Sequence, residues 1–409
     1  MTILRNWFHN YSRRIRNRLR PLPKGGKAEG RSIDVFLLLT VLGLVLFGLI
    51  MVYSSSFIYA QEKTGDGFSF IRKQIVYAGL GLIALWCGSR IHYNRWKIWA
   101  YPSLGVVFLL LISIFIPGVG DRIGGARRWL HLGPFNFQPG ELAKFVVIAF
   151  VARQLVVKQY LESVSKTILS ALVAPLPVVL LLLLQPDFGT TVIISAVIFA
   201  MMFLSGLPAR NLGVFLGVAT LLGSWLVLGT AYRRNRVATF LDPWSDPTGK
   251  GFQIIQSFVG LHNGGIWGVG LGSGKEKLLF LPEAHNDFIF SVIGEELGFV
   301  GIFGVVIAYL LLIHRGLKTA WNSHLKYQDR FGMLLAAGIT LAIGFQGLVN
   351  ISVVMGILPT KGLTLPFISY GGSALLVDLF ALGVLLNIGK GPLQGEAQAN
   401  RLMPDENET

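Results

Sequence analysis

Residues 288–313 read FIFSVIGEELGFVGIFGVVIAYLLLI, an apolar run whose only charged residues are Glu295 and Glu296. A helix of about 20 such residues covers the hydrocarbon core of a bilayer, so this run predicts a membrane-spanning helix. Carboxylates inside a membrane are costly and usually face a cavity or a partner. We favour structural pairing within the protein for both glutamates.

Nine further apolar windows have the same character, so the sequence predicts ten spans. They lie near residues 34–56, 74–90, 98–117, 142–157, 167–185, 189–206, 211–231, 288–313, 332–355 and 372–389. Only 14% of the residues are charged, against about 25% in soluble domains, which argues against a soluble enzyme. The expected fold class is an all-α polytopic membrane protein with about ten transmembrane helices.

The net charge of +15 is concentrated near the N-terminus and in loops between the spans. This distribution follows the positive-inside rule if both termini are cytoplasmic, and it argues against nucleic-acid binding. We therefore expect a basic cytoplasmic tail (1–32), a ten-helix membrane domain (33–390) and a polar cytoplasmic tail (391–409). The single cysteine, Cys87, excludes an intrachain disulfide.

Three segments between spans are expected on the exterior, and they are the candidates for chemistry. The longest is 232–287, and connections of that length are usually functional. The others are 118–141, GVGDRIGGARRWLHLGPFNFQPGE, and 356–373, GILPTKGLTLPFISYGGS. Within the longest, GVGLGSGKEK at 268–277 departs from the P-loop pattern at Val269 and Glu276. We expect a flexible loop there.

Asp287 directly precedes the eighth span, and two interpretations of it stay open. Its carboxylate can cap the helix N-terminus, where free N–H groups and the helix dipole favour negative charge. Alternatively, it stands at the boundary of water and lipid near Glu283 and His285 and accepts a proton from a substrate hydroxyl. The two roles do not exclude each other.

Four cations are predicted at the outer surface, against the positive-inside trend. Arg127 and Arg128 lie in GARRW, Lys144 in QPGELAK and Lys361 in LPTKGLTLP. Such cations suit the pyrophosphate of a lipid-linked substrate, because arginine pairs with phosphate oxygens in a bidentate manner. Snorkelling of these side chains to lipid phosphates is the alternative.

Four segments, read in order, resemble the SEDS family of peptidoglycan glycosyltransferases. They are GARRWLHLGPFNFQPGELAKF, QPDFGTT, LPEAHNDFIFSVIGEELG and LPTKGLTLPFISYGGSALL, and the resemblance covers roughly residues 34–390. The motifs LPEAH and LPTKGLTLP are more similar to the division members than to the elongation members. Gly140 and Asn286 stand where many members have serine and threonine, and neither difference removes an acid or a base.

The resemblance implies polymerisation of lipid II into glycan strands at the outer face of the bacterial cytoplasmic membrane, at the division septum. It implies that Asp287 is the catalytic residue and the general base. The residues expected to bind substrate are Arg127, Arg128, Gln138, Glu141, Lys144, Glu283, His285, Lys361 and Ser369. No metal ligand is assigned, and a divalent cation, Mg²⁺ or Mn²⁺, is a candidate cofactor.

The implied partners are lipid II, an undecaprenyl-diphosphate-linked glycan, membrane lipid, divisome proteins and a single-span transpeptidase of the class B penicillin-binding type. No nucleic acid is expected. Two other functions stay open: a flippase or transporter of the lipid-linked precursor, and a scaffold for division proteins. Many spans and intramembrane acids also suit a transporter, although the sequence shows no inverted repeat.

Overall fold

The structure is a computed structural model that describes residues 33–123, 126–133, 135–159, 164–229, 231–249, 251–277, 281 and 284–392. Residues 1–32 and 393–409 lie outside this part, so the predictions for the two tails stay predictions. The helices are α1 (Val35–Thr64), α2 (Ser69–Arg90), α3 (Arg95–Ser113), α4 (Pro139–Gln159), α5 (Val164–Val173), α6 (Leu176–Leu184), α7 (Phe188–Leu204), α8 (Ala209–Leu228), α9 (Ala231–Leu241), α10 (Phe252–Gly264), α11 (Ile289–Tyr327), α12 (Arg330–Val354) and α13 (Gly372–Gly389).

Each predicted span falls on a helix, and the fifth falls on the pair α5 and α6, which is interrupted next to Pro175. Within the described residues, seven helical segments are long and apolar enough to cross a membrane, and α7 and the start of α8 are shorter apolar helices. The remaining span, α4, is of spanning length but carries Glu141, Lys144 and Arg153. The polytopic helical fold is confirmed.

The helices α12 and α13 lie at the centre of the bundle. Their most apolar windows are 72% and 83% buried, against 17% for α2. Even so, α2 packs along α13, and the two backbones come close because glycines stand at the contact. A Cβ added to Gly383 would lie 2.2 Å from the Leu85 carbonyl oxygen, and one added to Gly88 would lie 2.5 Å from that of Phe380.

Segment 118–141, which was expected on the exterior, contains strands that the sequence did not predict. A three-stranded antiparallel sheet is formed by β1 (Gly120–Ile123), β2 (Ala126–Leu132) and β3 (Phe135–Phe137), in that order. Strands β2 and β3 are joined by a tight turn in which Gly133 has φ +62°. The all-α expectation therefore holds for the bundle but not for this exterior segment.

The exterior segment 232–287 is not one irregular loop, because α9 and α10 lie in it. Residues 268–277 form a loop, as expected, but the end of this loop is packed, since Glu276 and Lys277 are buried. The stretch packs against α11 where that helix is broken at Gly298, which has φ +64° and ψ −162°. The break separates a short helix after Asp287 from the long remainder of α11.

Candidate active site

A cavity of about 420 Å³ opens between the end of α1, the beginning of α2, the small sheet and the segments around Asp287 and 362–374. Its polar and aromatic lining combines groups that could bind a sugar with groups that could bind a phosphate. The lining residues are Tyr59, Lys63, Phe70, Lys73, Tyr77, Arg128, Trp129, Asn136, Gln138, Glu141, Thr190, His285, Asn286, Asp287, Gly362, Leu363, Thr364, Tyr370, Gly371, Gly372 and Ala374.

Asp287 lies in the turn that leads into α11. The N-cap residue of this helix is Phe288, whose side chain makes no cap hydrogen bond, so Asp287 stands one residue before the N-cap position that was predicted for it. The side-chain amide of Asn350 donates to the Asp287 carbonyl at 2.8 Å and to the Leu363 carbonyl at 2.7 Å. This bridge from α12 fixes the backbone of Asp287 against the segment that forms the opposite wall of the cavity.

Ser369 fastens the same turn from another side. Its hydroxyl donates to the Asn286 carbonyl at 2.7 Å and accepts the N–H of Leu365 at 2.8 Å. The N–H of Tyr370 donates to the His285 carbonyl at 2.9 Å. Because Ser369 is buried and is not among the lining residues, its position is that of a support for the turn and not of a substrate contact.

His285 brings an aromatic cluster to the cavity wall. Its ring centroid lies 5.3 Å from that of Tyr59, 4.7 Å from that of Phe70 and 5.7 Å from that of Tyr370. Burial, and then the nearby Tyr77, raise the pKa of Tyr370 to about 12. The Tyr370 hydroxyl therefore keeps its proton at neutral pH and can donate a hydrogen bond.

Three cations line the cavity: Lys63, Lys73 and Arg128. Arg128 was predicted, and its Nε and Nη2 also donate to the carbonyls of Gln185 and Pro186 at 3.1 and 2.5 Å. The two lysines were missed in the sequence reading, because they resemble ordinary basic residues near the ends of spans. Only the fold shows that α1 and α2 bring them to the cavity that Asp287 also lines.

The QPGE segment also reaches the cavity, as predicted. The Gln138 side-chain amide donates to the Asp187 carboxylate at 3.2 Å, and that carboxylate accepts the N–H of Thr190 at the start of α7. The Ser373 hydroxyl accepts the backbone N–H of Gln138 at 3.0 Å. The start of α4 is thus held to α7 and α13, with Glu141 at the cavity wall.

The family assignment agrees with this geometry. A family profile that covers FtsW, RodA and SpoVE, described as "Cell cycle protein", matches residues 35–391. The chain belongs to this family, the SEDS family. Among its relatives, a protein from Geobacter metallireducens named probable peptidoglycan glycosyltransferase FtsW is 46% identical over 362 residues, which cover 88% of this chain and 95% of the relative. Stage V sporulation protein E from Bacillus subtilis is 40% identical over 361 residues, which cover 88% and 97%.

Solved structures of similar proteins share the fold of this SEDS chain. A chain from a study of the coordination of polymerization and crosslinking by a peptidoglycan synthase complex aligns with a TM-score of 0.71 and 35% identity, covering 88% of this chain and 98% of that chain. The rod shape determining protein RodA from Thermus thermophilus aligns with a TM-score of 0.64 and 30% identity, covering 88% and 97%.

Two predicted cations of the SEDS chain lie elsewhere. Lys144 is not at the outer surface: it is buried, its Nζ lies 2.6 Å from the Glu141 carboxylate, and it also donates to the Gln346 side chain. Arg127 is half-buried and does not line the cavity. Since the charge of Lys144 is already paired, it is a poor candidate for direct phosphate binding.

Lys361 lies close to the cavity without lining it. Its Nζ lies 4.9 Å from the centroid of the Phe188 ring. Burial, and then the positive charge of Arg236, lower the pKa of Lys361. Its neighbour Gly362 does line the cavity, and a Cβ there would lie 3.3 Å from the carboxylate Oδ2 of Asp287. Glu283 lies outside the described residues, so its role stays a prediction.

The predicted pairing of the intramembrane glutamates is confirmed. Lys277 Nζ lies 2.6 Å from the Glu296 carboxylate, with both side chains buried. The Ser54 hydroxyl of α1 donates to Glu296 and accepts from Lys277. The carboxylate of Glu295 accepts two backbone N–H groups, those of residues 275 and 276, at 2.7 and 3.3 Å. These contacts hold the Gly-rich stretch, residues 268–277, to α1 and α11.

Proposed function

We propose that this SEDS protein is a peptidoglycan glycosyltransferase that polymerises lipid II into glycan strands during cell division, at the extracytoplasmic face of the bacterial cytoplasmic membrane. One observation carries the assignment: Asp287 lines an exterior cavity that also contains three cations. A carboxylate base opposite positive charge is the arrangement that transfer from a lipid-linked sugar pyrophosphate requires. The relatives named peptidoglycan glycosyltransferase FtsW support the substrate class.

Asp287 is the general base in this proposal. The 4-hydroxyl of the acceptor lipid II attacks the anomeric carbon of the donor strand, and its proton passes to the Asp287 carboxylate. A new glycosidic C–O bond forms as the bond from the anomeric carbon to the pyrophosphate breaks with inversion. Undecaprenyl diphosphate leaves with the electron pair of that bond. Asp287 is half-buried at the wall of the cavity.

Lys63, Lys73 and Arg128 bind the leaving pyrophosphate in this proposal, because they are the lysine and arginine residues among the cavity lining. Ammonium and guanidinium groups aimed at developing phosphate charge stabilise the transition state more than the ground state. Gln138, Glu141 and His285 supply polar contacts to the sugars. Since Lys144 is paired within α4, its role would be to orient Glu141.

A divalent cation fits the cavity as a bridge between protein and substrate. Among the described residues, no group of three or more His, Cys, Asp or Glu side chains could hold a metal ion by itself. Mg²⁺ commonly takes one or two carboxylates together with substrate phosphates, and Asp287, which lines the cavity, would supply a carboxylate oxygen to such an ion. Bound there, Mg²⁺ or Mn²⁺ would neutralise the pyrophosphate.

We also propose a partner and a location. A glycan strand must be cross-linked after it is made, so a single-span transpeptidase of the class B penicillin-binding type is the expected partner. The solved complex concerns both polymerization and crosslinking, which supports this expectation. Both termini are proposed to be cytoplasmic, and the septum is the proposed site of action, where divisome proteins would also bind.

The full chain, reconstituted in vesicles with fluorescent lipid II, tests the function. Polymer is read on a gel, and movement of lipid across the bilayer is read by quenching from outside. We expect polymer from the wild type and from Asp66→Asn, which changes an exterior carboxylate outside the cavity lining. Asp287→Asn should make no polymer. If the wild type moves lipid across the bilayer without making polymer, and Asp287→Asn still moves it, the protein is a flippase instead.

A further inference from the structure

Helix α10 runs alongside the short helix that follows Asp287. The Ser291 hydroxyl donates to the Ser257 carbonyl at 3.0 Å. Farther along both helices, a Cβ added to Gly264 would lie 1.9 Å from the Gly294 carbonyl oxygen. Because both contacts join the helices in increasing residue order, the two helices run in the same direction, away from Asp287. The loop that follows α10 therefore lies near the break in α11.

This loop, residues 265–272, is bound to α11 through backbone hydrogen bonds. The N–H of Val300 donates to the Ile266 carbonyl at 3.2 Å, and the N–H of Gly270 donates to the Glu296 carbonyl at 3.0 Å. Irregular backbone at membrane depth is tolerated where the protein satisfies its polar groups in this way. The chain then returns to the turn before α11, so α10 and the loop form a re-entrant hairpin.

The break in α11 lies at one edge of the hydrocarbon core. Residues 297–314 of this helix include no Asp, Glu, Lys or Arg. At 1.5 Å per residue this run is about 27 Å long, which matches a hydrocarbon core of roughly 30 Å. Arg315 follows the run and donates to the Asp34 carboxylate at 2.9 Å, next to the start of α1. The loop at the other end of the run is therefore level with the opposite edge of the hydrocarbon, on the side of Asp287.

The side chains of the loop form an exposed apolar surface at this level. Four large side chains are exposed: Ile266 (63%), Trp267 (79%), Val269 (44%) and Leu271 (54%). The adjoining surface of α11 is also apolar and exposed, at Phe299 and Phe303. That part of α11 belongs to a membrane span, so its exposed surface faces lipid. The loop continues this surface, and tryptophan is enriched where hydrocarbon meets water.

We propose that residues 265–272 insert into the acyl-chain region of the membrane leaflet next to the cavity, which is the outer leaflet in the proposed orientation. The four exposed apolar side chains contact lipid there, because transfer of apolar surface from water to hydrocarbon is favourable. Asp287 precedes Glu295 by eight residues, so it lies about 12 Å outside the hydrocarbon at 1.5 Å per residue. That height suits the head group of a membrane-anchored substrate. The insertion itself does not depend on the proposed polymerase activity.

Spin labels on the full chain test the proposal. In a Cys87→Ser background, Val269→Cys or Leu271→Cys is labelled, and one chain is placed in each phospholipid nanodisc so that no second copy covers the loop. Power saturation then measures the access of oxygen, which concentrates in hydrocarbon, and of a polar nickel chelate, which is excluded from it. We expect the ratio of oxygen to nickel access to be about tenfold or more higher than at a site in water. Leu310→Cys, on the exposed surface of α11, gives the value for lipid.

The matched control is Trp244→Cys, which labels another exposed, large apolar side chain of the same segment. Trp244 lies next to the start of α10, and this helix of 13 residues separates it from the loop by about 20 Å. Nickel should reach the control more readily than oxygen does. The same preference at Val269→Cys or Leu271→Cys would place the loop in water and overturn the proposal. Low access of both reagents would show that protein covers the loop, which would overturn it as well. Either loop site decides the question if the other variant does not fold.

Discussion

The N–H of Phe299 donates to the carbonyl of Gly265 at 2.9 Å, although in a continuous helix it would donate to Glu295. The carbonyl of Glu295 accepts instead the N–H of Val269 at 3.0 Å. The Gly-rich stretch therefore replaces the hydrogen bonds that the break at Gly298 removes from α11. The short helix that follows Asp287 is held by residues 265–270 as well as by the bundle.

Gly298→Ala should disrupt this arrangement. The backbone angles of Gly298 are essentially restricted to glycine, and a Cβ would lie 2.3 Å from the Gly268 nitrogen. We expect a loss of about 1–3 kcal/mol in the free energy of unfolding, together with reduced polymerisation. Gly304→Ala is the control, because that glycine of α11 has open space around it. Equal apparent melting temperatures for the two variants would contradict this interpretation.

Removing one partner of the buried ion pair of Lys277 and Glu296 should lower the free energy of unfolding strongly. Lys277→Met leaves the Glu296 carboxylate uncompensated, and such changes cost about 3–5 kcal/mol. Lys277→Met/Glu296→Met should regain much of this loss in thermal unfolding. Arg72→Met, which breaks the exposed pair of Arg72 and Asp66, should cost at most about 1 kcal/mol. If the double variant is as unstable as Lys277→Met, the unpaired charge of Glu296 is not the cause of the instability.

Glu276 should make stability depend on pH. Burial, and then the nearby Glu295, raise the pKa of Glu276 from 4.5 to about 7. Between these values the folded state binds more protons than the unfolded state, so stability falls as the pH rises through this window. Glu276→Gln removes this dependence, so the apparent melting temperature of the variant should exceed that of the wild type by a few degrees at pH 8 but not at pH 5. An identical pH profile for the variant and the wild type would refute it.

The two neighbouring exterior cations Arg72 and Lys73 offer a matched comparison. Lys73 lines the cavity, whereas Arg72 is not among the lining residues and pairs with Asp66 at 2.9 Å. Hydrogen bonds to charged groups contribute about 1.5–3 kcal/mol, so Lys73→Gln should lower kcat/KM for lipid II about tenfold or more. Arg72→Gln should change it less than about threefold. If Lys73→Gln and Arg72→Gln lower kcat/KM by similar factors, the effect comes from the surface charge in general and not from the cavity.

The helical bundle could be predicted from the sequence because a helix that crosses a bilayer needs about 20 mostly apolar residues. Each apolar window coincides with a helix or, for the fifth, with the pair α5 and α6. The interruption between α5 and α6 lies next to Pro175, since proline inside a helix removes a backbone hydrogen bond. The break at Gly298 could not be predicted, since an isolated glycine in an apolar run is usually helical. Its unusual backbone depends on residues 265–270, which contact it only in the folded chain.

The site was predicted in part for similar reasons. Asp287, His285 and Arg128 line one cavity, and all three lie in motifs that carry the family resemblance. Lys63 and Lys73 lie outside those motifs, at positions where a lysine near a span end is unremarkable. Lys144 was placed at the surface because its sequence position lies near a span boundary, yet Glu141, one helical turn away, allows it to be buried.

The polymerisation rate of Asp287→Asn under saturating lipid II tests the central claim most directly. The exchange keeps the shape of the side chain but removes the base, and general-base catalysis typically contributes about 10²–10⁴ in rate. The account predicts a loss of this size with unchanged thermal unfolding and lipid II binding, while Asp66→Asn polymerises at the wild-type rate. A well-folded Asp287→Asn protein that polymerises within a few-fold of the wild type would contradict it.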